Sequence, residues 1–262
     1  MMILHAEQLA IGFGGVRAVD GVTLGIESGQ VFSIIGPNGS GKTTLFNLIS
    51  GIYVPNDGII QLAGETVTGL APEALARRGL SRTFQNLQIF FRMSVLENVM
   101  VGRHRHERTG ILADMLHWPS VKRQNEETQK AALAALARVG LADLAERPAS
   151  SLSYGALKRL EIARALASEP RVLLLDEPAA GCNSVETQEI DRVIRSIAKD
   201  GVTVVLVEHD MRLVMNVSDR VHVLSQGKTL TEGTPEQVRS NADVIEAYLG
   251  VHGSQEAMRA FG

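Results

Sequence analysis

The sequence predicts an α/β fold in which helices cover both faces of a parallel sheet. Three short apolar runs, rich in β-branched residues, have the length of strands that are buried on both faces, and a helical pattern follows each run. The runs are Val31–Ile35, Val172–Leu175 and Val202–Val207. Ligands of such sheets bind at the carboxyl ends of the strands, where we expect the functional residues to lie.

A small antiparallel β layer is predicted ahead of this core. Val22, Leu24 and Ile26 alternate with polar or small residues, which is typical of a strand with one buried face. This alternation differs from the continuous apolar runs of the core. The pattern therefore predicts a separate layer of half-buried strands near the start of the chain.

Residues 86–166 form a predicted helical insertion between two strands of the core. Strand patterns are missing there, while a capping box begins at Ser94 and an alanine-rich run is closed by Gly140. A further capped helix is predicted from Thr234 onwards. Residues 251–262 are predicted to form a frayed tail.

The composition is that of an ordinary globular chain. Its 262 residues are 45% hydrophobic and 21% charged, which allows one large core or two modest ones. The net charge of −3 predicts no general attraction to nucleic acid, and a single cysteine, Cys182, excludes an internal disulfide. No run approaches the roughly 20 apolar residues of a membrane span, and no export signal is recognisable, so we expect a cytoplasmic location.

A glycine-rich segment between a predicted strand and a predicted helix has the pattern of a loop that wraps phosphates. It consists of Gly36, Pro37, Asn38, Gly39, Ser40, Gly41, Lys42, Thr43 and Thr44. The glycines let backbone N–H groups converge on phosphate oxygens, Lys42 is suited to the β- and γ-phosphates, and the Thr43 hydroxyl is suited to Mg²⁺. The alternative is a plain glycine-rich turn, which the flanking strand and helix disfavour.

Two carboxylates directly follow the predicted strand at Val172–Leu175. Asp176 is suited to hold Mg²⁺ through water, and Glu177 is suited to orient and deprotonate the attacking water. The alternative is that both acids are exposed turn residues ahead of Pro178. Their position at the sheet edge where the phosphate loop opens favours the functional interpretation.

Gln85 follows a predicted strand at Leu80–Phe84, and His209 follows the strand from Val202 to Glu208, on the same side of the sheet. A side chain at such a strand end can face the γ-phosphate or the water that attacks it. Taken singly, each would more often be an ordinary loop residue. Together with the phosphate loop, they become candidates for the same site.

The segment Leu152–Gly155, called the signature below, precedes a predicted helix. Ser153 and the amides near Gly155 therefore lie at a helix N-terminus, which attracts anions. The alternative is that Ser153 is only an N-cap. Because the signature belongs to the helical insertion, away from the chain's own phosphate loop, it fits a role at the ATP of another subunit.

In this order, the motifs resemble those of ABC transporter ATPases over nearly the whole chain. The resemblance implies a RecA-like P-loop core with a parallel sheet, an N-terminal antiparallel β layer and an inserted helical subdomain. Within one domain, residues 1–85 and 167–250 would form the nucleotide-binding core, and residues 86–166 the helical subdomain. The implied ligands are ATP and Mg²⁺, and the implied activity is ATP hydrolysis.

The same resemblance implies roles for single residues. Phe13 would stack on adenine, His209 would sense the γ-phosphate, and Gln85 would link the nucleotide to membrane subunits. Ser153 and Gly155 would contact the partner's ATP. The implied catalytic residues are Glu177, His209, Gln85 and Lys42, and the implied metal ligands are Thr43, Gln85 and Asp176.

Several segments look more specifically like the ATPases of branched-chain amino acid importers. Among them are Arg82–Leu87 and Arg159–Arg164, and the stretch from Arg103 to Glu127 looks like the insertion of the longer of that system's two ATPases. The implied partners are a second ATPase subunit, two membrane permease subunits and, indirectly, an extracytoplasmic substrate-binding protein. The implied location is peripheral, at the cytoplasmic face of the membrane. Ala156 departs from the family pattern, which usually has Gln there.

Alternatives remain at this point. Urea, amides and other amino acids stay open as cargo, because no part of such an ATPase touches the cargo. An ABC protein without a transport task is disfavoured, since the chain has neither a long coiled coil nor a duplicated cassette. A phosphate-loop kinase would need an acceptor pocket, and a signature that acts on a partner's ATP counts against it.

Overall fold

Two sheets and the helices around them make up the part of the chain that the computed structural model describes, residues 1–104 and 119–249. The predicted insertion from Arg103 to Glu127 lies partly outside these residues, and the predicted tail at 251–262 lies wholly outside them. The order of strands and helices confirms the predicted α/β fold.

The smaller sheet is the predicted antiparallel layer. Its strands are β1 (Met2–Phe13), β2 (Val16–Glu27), β4 (Asp57–Leu62) and β5 (Glu65–Thr66), in the order β2-β1-β4-β5. All neighbouring pairs are antiparallel. Val22, Leu24 and Ile26 are all buried on one face of β2, as their alternation predicts.

The larger sheet carries the predicted parallel strands. Its members are β3 (Val31–Ile35), β6 (Leu80–Arg82), β7 (Val172–Asp176), β8 (Thr203–Val207), β9 (Arg220–Ser225) and β10 (Lys228–Gly233). They are ordered β10-β9-β3-β8-β7-β6, and all neighbours are parallel except β9 and β10. β3, β7 and β8 are buried along their whole length, which explains their continuous apolar sequences.

Several of the helices begin directly after a side-chain N-cap. The helices are α1 (Lys42–Ile49), α2 (Pro72–Arg77), α3 (Val95–Val101), α4 (Pro119–Arg138), α5 (Tyr154–Leu166), α6 (Ser184–Lys199), α7 (Met211–Val217), α8 (Pro235–Arg239) and α9 (Ala242–Leu249). The capping boxes predicted at Ser94 and Thr234 are both formed. Gly140, with φ 70°, follows the end of α4. Within the described ranges, no helix combines the length and the hydropathy of a membrane span.

The two faces of the larger sheet supply two different cores. Leu173 and Leu175 of β7 pack with apolar residues of α3, α4, α5 and α6, whereas Val172 and Leu174 pack with the smaller sheet and α1. This division follows from the two-residue period of a strand, which sends successive side chains to opposite faces. The helices of the predicted insertion therefore share their core with the sheet.

A partly buried polar cluster joins β9 to β10. The Glu232 carboxylate lies 3.0 Å from Nδ1 of the fully buried His222 and accepts a hydrogen bond of 2.8 Å from Arg220. Burial alone would raise the pKa of Glu232, but the bonds to His222 and Arg220 hold the pKa below its ordinary value of 4.5. The folded state therefore favours the charged form of this partly buried carboxylate.

Glu232→Gln is expected to flatten the dependence of stability on acid pH. The unfolded chain binds more protons than the folded chain between the two pKa values of Glu232, so stability is present above the ordinary value and is lost as the pH falls through the folded-state pKa. Urea unfolding between about pH 6 and pH 3 measures this slope. The control is Glu73→Gln, which removes an exposed carboxylate from α2. Equal slopes in wild type and Glu232→Gln would contradict the prediction.

Candidate functional site

The predicted phosphate loop connects β3 to α1. Lys42, only 6% exposed, donates from Nζ to the carbonyls of Gly36 at 2.7 Å and Pro37 at 3.1 Å. Gly36 and Gly41 have φ values of 152° and 102°, and a Cβ on Gly41 would collide with the carbonyl of Ala18. Both positions therefore require glycine, and the loop is drawn tightly around its own lysine.

A cleft of about 480 Å³ opens over this loop. Its lining residues are Val16, Arg17, Ala18, Asn38, Gly39, Ser40, Gly41, Lys42, Thr43, Thr44, His209, Gln226 and Gly227. Thr43 is exposed in the first turn of α1, where the helix N-terminus and Lys42 both favour anions. The lining thus fits a chain of phosphates.

Glu177 is contacted by both of the predicted polar residues at neighbouring strand ends. One carboxylate oxygen accepts a hydrogen bond of 3.0 Å from the Gln85 amide, and the other lies 2.8 Å from Nε2 of His209. The Glu177 side chain is 15% exposed and that of His209 is 49% exposed. Gln85 and His209 therefore converge on one carboxylate, and their roles at the nucleotide stay predictions.

The register of two strands brings these residues together. Asp176 in β7 pairs with Val207 in β8, and the N–H of Glu177 donates to the Val207 carbonyl at 2.9 Å. Glu177 has φ 48°, which is uncommon for a residue with a side chain. Strain of this kind is maintained only where the surrounding structure fixes the backbone, and it concentrates at functional sites.

Asp176 is buried, with 6% of its surface exposed. The alternative that both acids are exposed turn residues is therefore wrong. Arg82 donates a hydrogen bond of 2.7 Å to Oδ2 of Asp176. Asp176 and Thr43 offer hard oxygen atoms, which Mg²⁺ prefers, and Mg²⁺ needs only one or two carboxylates when phosphates and water complete its shell. The described residues contain no group of three or more potential His, Cys, Asp or Glu ligands.

Glu208 fixes the backbone of two loops at the site. It was not identified from the sequence. Its buried carboxylate accepts backbone N–H groups from Ala179 at 2.8 Å, His209 at 2.8 Å and Asp210 at 3.3 Å. Burial raises the pKa of Glu208 despite these bonds. The carboxylate ties the loop after β7 to the loop that carries His209. An acid at the end of the apolar run Val202–Val207 was the available signal.

The signature lies at the start of α5, and the side chain of Ser153 and the N–H of Gly155 bond to residues of α5 and α6. Ser153 caps α5 by accepting the N–H of Ala156 at 3.3 Å. The Gly155 N–H donates to Oε1 of Glu186 at 2.9 Å. The backbone N–H groups of Asn183 and Gly155, with a further hydrogen bond from Ser153, lower the pKa of Glu186. A carboxylate of this chain therefore occupies the anion-binding end of α5.

Lys158 connects the signature helix to the other loops and was also missed from the sequence. Its side chain is buried, and Nζ lies 3.1 Å from the Gln85 carbonyl and 3.5 Å from the Glu177 carbonyl. The ammonium also lies 5.9 Å from the centre of the Tyr154 ring. No local sequence pattern marks this residue, because its acceptors are remote in sequence.

Phe13 lies beside the cleft without lining it. It ends β1, is about half exposed, and packs edge-on against Tyr53 with ring centres 5.3 Å apart. Val16 and Arg17, at the start of β2, line the cleft instead. The role of Phe13 as an adenine platform stays a prediction.

Gly155→Ala is expected to destabilise the isolated chain by about 1 kcal/mol. A Cβ at this position would lie 2.5 to 2.6 Å from Cβ, Cγ and Cδ of Glu186, and overpacking of this kind outweighs the gain in helix propensity from alanine. In a Glu186→Gly background, which removes all three of these atoms, the same change should become neutral or stabilising. A double-mutant cycle from urea unfolding measures the difference. Equal costs in both backgrounds would show that Glu186 does not restrict this position.

The chain is similar to known proteins over most of its length. Residues 19–180 match the family described as ABC transporter, and residues 228–254 match the family described as branched-chain amino acid ATP-binding cassette transporter. The first match spans the phosphate loop, Gln85, the signature and Glu177. A relative from Pseudomonas aeruginosa, the high-affinity branched-chain amino acid transport ATP-binding protein BraF, is 48% identical over 95% of this chain and 98% of its own length.

Solved structures of similar proteins share the fold. The ADP conformation of MJ1267, an ATP-binding cassette of an ABC transporter, superposes with a TM-score of 0.84 at 33% identity, covering 95% of this chain and 99% of that one. A dimeric post-hydrolysis state of the ATP-binding cassette MJ0796, bound to ADP and Pi, gives a TM-score of 0.70 at 27% identity, covering 89% and 99%.

Proposed function

Starting from the fact that this chain belongs to the ABC transporter family and is one of its ATP-hydrolysing subunits, we propose that it powers an importer of branched-chain amino acids. The observation that carries the catalytic part is the convergence of Gln85 and His209 on the Glu177 carboxylate, beside a cleft built for phosphates. The cargo rests on the relative at 48% identity, whose name gives branched-chain amino acid transport.

The phosphate loop binds the triphosphate of ATP in this proposal. Backbone N–H groups of residues 36 and 38–44 surround the phosphates, and Lys42 contributes its positive charge from Nζ. Thr43, Asp176 and Gln85 would hold Mg²⁺, which would supply positive charge next to the phosphates. The glycines at 36 and 41 leave the loop backbone accessible at close range. Phe13 supports the adenine ring.

Glu177 is the general base. Its carboxylate accepts a proton from the attacking water, while Gln85 and His209 fix its orientation through one oxygen each. His209 also lines the phosphate cleft, so it can contact the terminal phosphate and Glu177 together. This arrangement positions the attacking water and accepts its proton, and positioning is one of the main contributions that a protein makes to phosphoryl transfer.

Ser153 and Gly155 bind the ATP of a second ATPase subunit. Their present contacts lie in α5 and α6, which supports a role outside the chain's own cleft. The dimeric ATP-binding cassette among the similar structures supports pairing of two such subunits. Two composite sites, each with a phosphate loop from one subunit and a signature from the other, would then close together.

The membrane partners are two permease subunits, contacted at the cytoplasmic face. Three phenylalanines that follow β6 closely are about half exposed, namely Phe84, Phe90 and Phe91. Apolar side chains exposed together are typical of protein contact surfaces. Gln85 lies within this segment, so docking there would act directly on a contact of Glu177. An extracytoplasmic substrate-binding protein would deliver the cargo to the permeases.

Reconstitution with the permeases and the binding protein tests the proposal. With ATP inside proteoliposomes, we expect uptake of radiolabelled leucine and hydrolysis that rises severalfold when all components are present. Glu177→Gln should abolish uptake. A rate of ATP hydrolysis that is the same with and without the permeases would contradict the transport role. Coupled uptake of another solute in place of leucine, isoleucine and valine would contradict the cargo alone.

A further inference from the structure

We propose that Arg82 is a positioning residue that orients the Asp176 carboxylate for the metal and ties it to the phosphate-loop helix α1. The inference rests on the proposed function, in which Asp176 holds Mg²⁺. It concerns a residue for which neither the sequence motifs nor the family resemblance supplied a role. Five contacts of the Arg82 guanidinium support it, three hydrogen bonds and two aromatic rings.

The first contact is a buried ion pair. Nη2 of Arg82 donates to Oδ2 of Asp176 at 2.7 Å, and the two side chains are 9% and 8% exposed. Removing two charges from water is costly, so a buried pair is weak evidence for stability by itself. It does, however, fix the rotation of the carboxylate, because one oxygen is engaged and the other is thereby oriented.

The next contacts anchor the guanidinium to α1. Nη1 of Arg82 donates to Oδ1 of Asn47 at 2.7 Å and to Oγ of Ser50 at 2.6 Å. Asn47 lies in α1 and Ser50 caps its carboxyl end. This helix begins with Lys42 and Thr43, which are the proposed ligands of phosphate and metal. Arg82 therefore connects the strand end that carries Asp176 to the helix that carries the other ligands.

Two aromatic rings hold the guanidinium in place. Its carbon lies 4.8 Å from the centre of the Phe46 ring and 5.6 Å from that of Phe84. The planar guanidinium can donate in two directions while it stacks, which an ammonium cannot do. In the described part of the chain, Nε of Arg82 is buried with no hydrogen-bond acceptor. The arginine is thus placed to serve Asp176 and α1, at the expense of one of its own hydrogen bonds.

The consequence for metal binding follows from how ligating carboxylates behave. Groups that hydrogen-bond a metal ligand orient it, and their loss typically reduces metal affinity about 10- to 100-fold. Arg82 stands in this relation to Asp176. It also lies three residues before Gln85 on the same strand exit. The end of β6 would therefore position one metal ligand, Asp176, through Arg82. The segment that follows it carries a second ligand, Gln85.

Mn²⁺ binding in the presence of a non-hydrolysable ATP analogue tests the inference without turnover. In Arg82→Met, which keeps an apolar side chain between the rings, we expect the Kd for Mn²⁺ to rise about tenfold or more. The affinity for the analogue without metal should change little. Arg82→Lys should restore part of the metal affinity, because the charge returns without the planar fork. The matched control is Arg78→Met, which alters an exposed arginine that pairs with Glu65 in the smaller sheet.

A second variant keeps the test decisive if Arg82→Met does not fold. Asn47→Ala removes one anchor of Arg82 and leaves the ion pair in place, and we expect a smaller rise of the Mn²⁺ Kd in the same direction. Unchanged or tighter Mn²⁺ binding in folded Arg82→Met, or in Asn47→Ala when Arg82→Met cannot be studied, would overturn the inference. Asp176→Asn separates the two proposals. If it leaves Mn²⁺ affinity unchanged, the metal role of Asp176 fails; if it alone weakens binding, only the role of Arg82 fails.

Discussion

Glu177→Gln is expected to reduce ATP turnover at least about a hundredfold while Mg-ATP binding persists. The amide has nearly the shape of the carboxylate but cannot accept the proton of the attacking water. The phosphate loop and Asp176 are untouched, so the nucleotide should still bind. ATP should then hold two subunits together, because the composite sites can form but cannot complete hydrolysis.

Two measurements check this result. Steady-state phosphate release gives the turnover, and sedimentation with and without ATP gives the association of subunits. Glu73→Gln, an exposed glutamate in α2, serves as the matched control and should hydrolyse ATP at the wild-type rate. Near-normal phosphate release from Glu177→Gln would show that Glu177 is not the base. The contacts with Gln85 and His209 would then need another explanation.

Lys42→Ala is expected to weaken nucleotide binding itself by about 10- to 100-fold. A hydrogen bond to a charged group contributes about 1.5 to 3 kcal/mol, which corresponds to that range of affinity. The affected interaction is the one with the β- and γ-phosphates, so ADP should lose less affinity than a non-hydrolysable ATP analogue. This difference distinguishes Lys42→Ala from Glu177→Gln, whose nucleotide affinity should be unchanged.

Calorimetry with both nucleotides measures the effect. Because Nζ of Lys42 also bonds the carbonyls of Gly36 and Pro37, the thermal stability of the variant should be recorded alongside. Lys199→Ala, at the exposed carboxyl end of α6, is the control for the loss of one lysine. Unchanged affinity for the ATP analogue in Lys42→Ala would mean that the loop does not bind phosphates as proposed.

Much of this fold could be predicted because its central strands and helix starts are specified by residues close together in the sequence. The continuous apolar run Val172–Leu175 predicts a strand buried on both faces, and β7 is such a strand. The capping box at Thr234 predicts the start of α8, because all of its hydrogen bonds lie within four consecutive residues. The strand before Gln85 is shorter than the sequence suggested, because β6 ends at Arg82.

The parts that sequence reasoning missed depend on contacts between distant residues. Arg82 and Asp176 are 94 positions apart, and Gly155 and Glu186 are 31 apart. The sequence around each of these four residues does not identify its partner. Neither pair has the spacing of a helical turn or of neighbouring positions in a strand. In the sequence Lys158 looks like an ordinary helix residue. Its contacts with the Gln85 and Glu177 carbonyls exist only in the folded chain. Such residues become visible only when the register of the sheet is known.

That register also limits how this site can change over evolutionary time. The pairing of Asp176 with Val207 places Glu177 next to His209, and the same pairing sends alternate side chains of β7 and β8 into two separate cores. Inserting or deleting one residue in either strand would exchange its two faces and disrupt both cores at once. Mutations of length are therefore confined to the loops outside these strands. Within the strands, single-residue replacement is the route left open, so the spacing of the site should persist even where its side chains diverge.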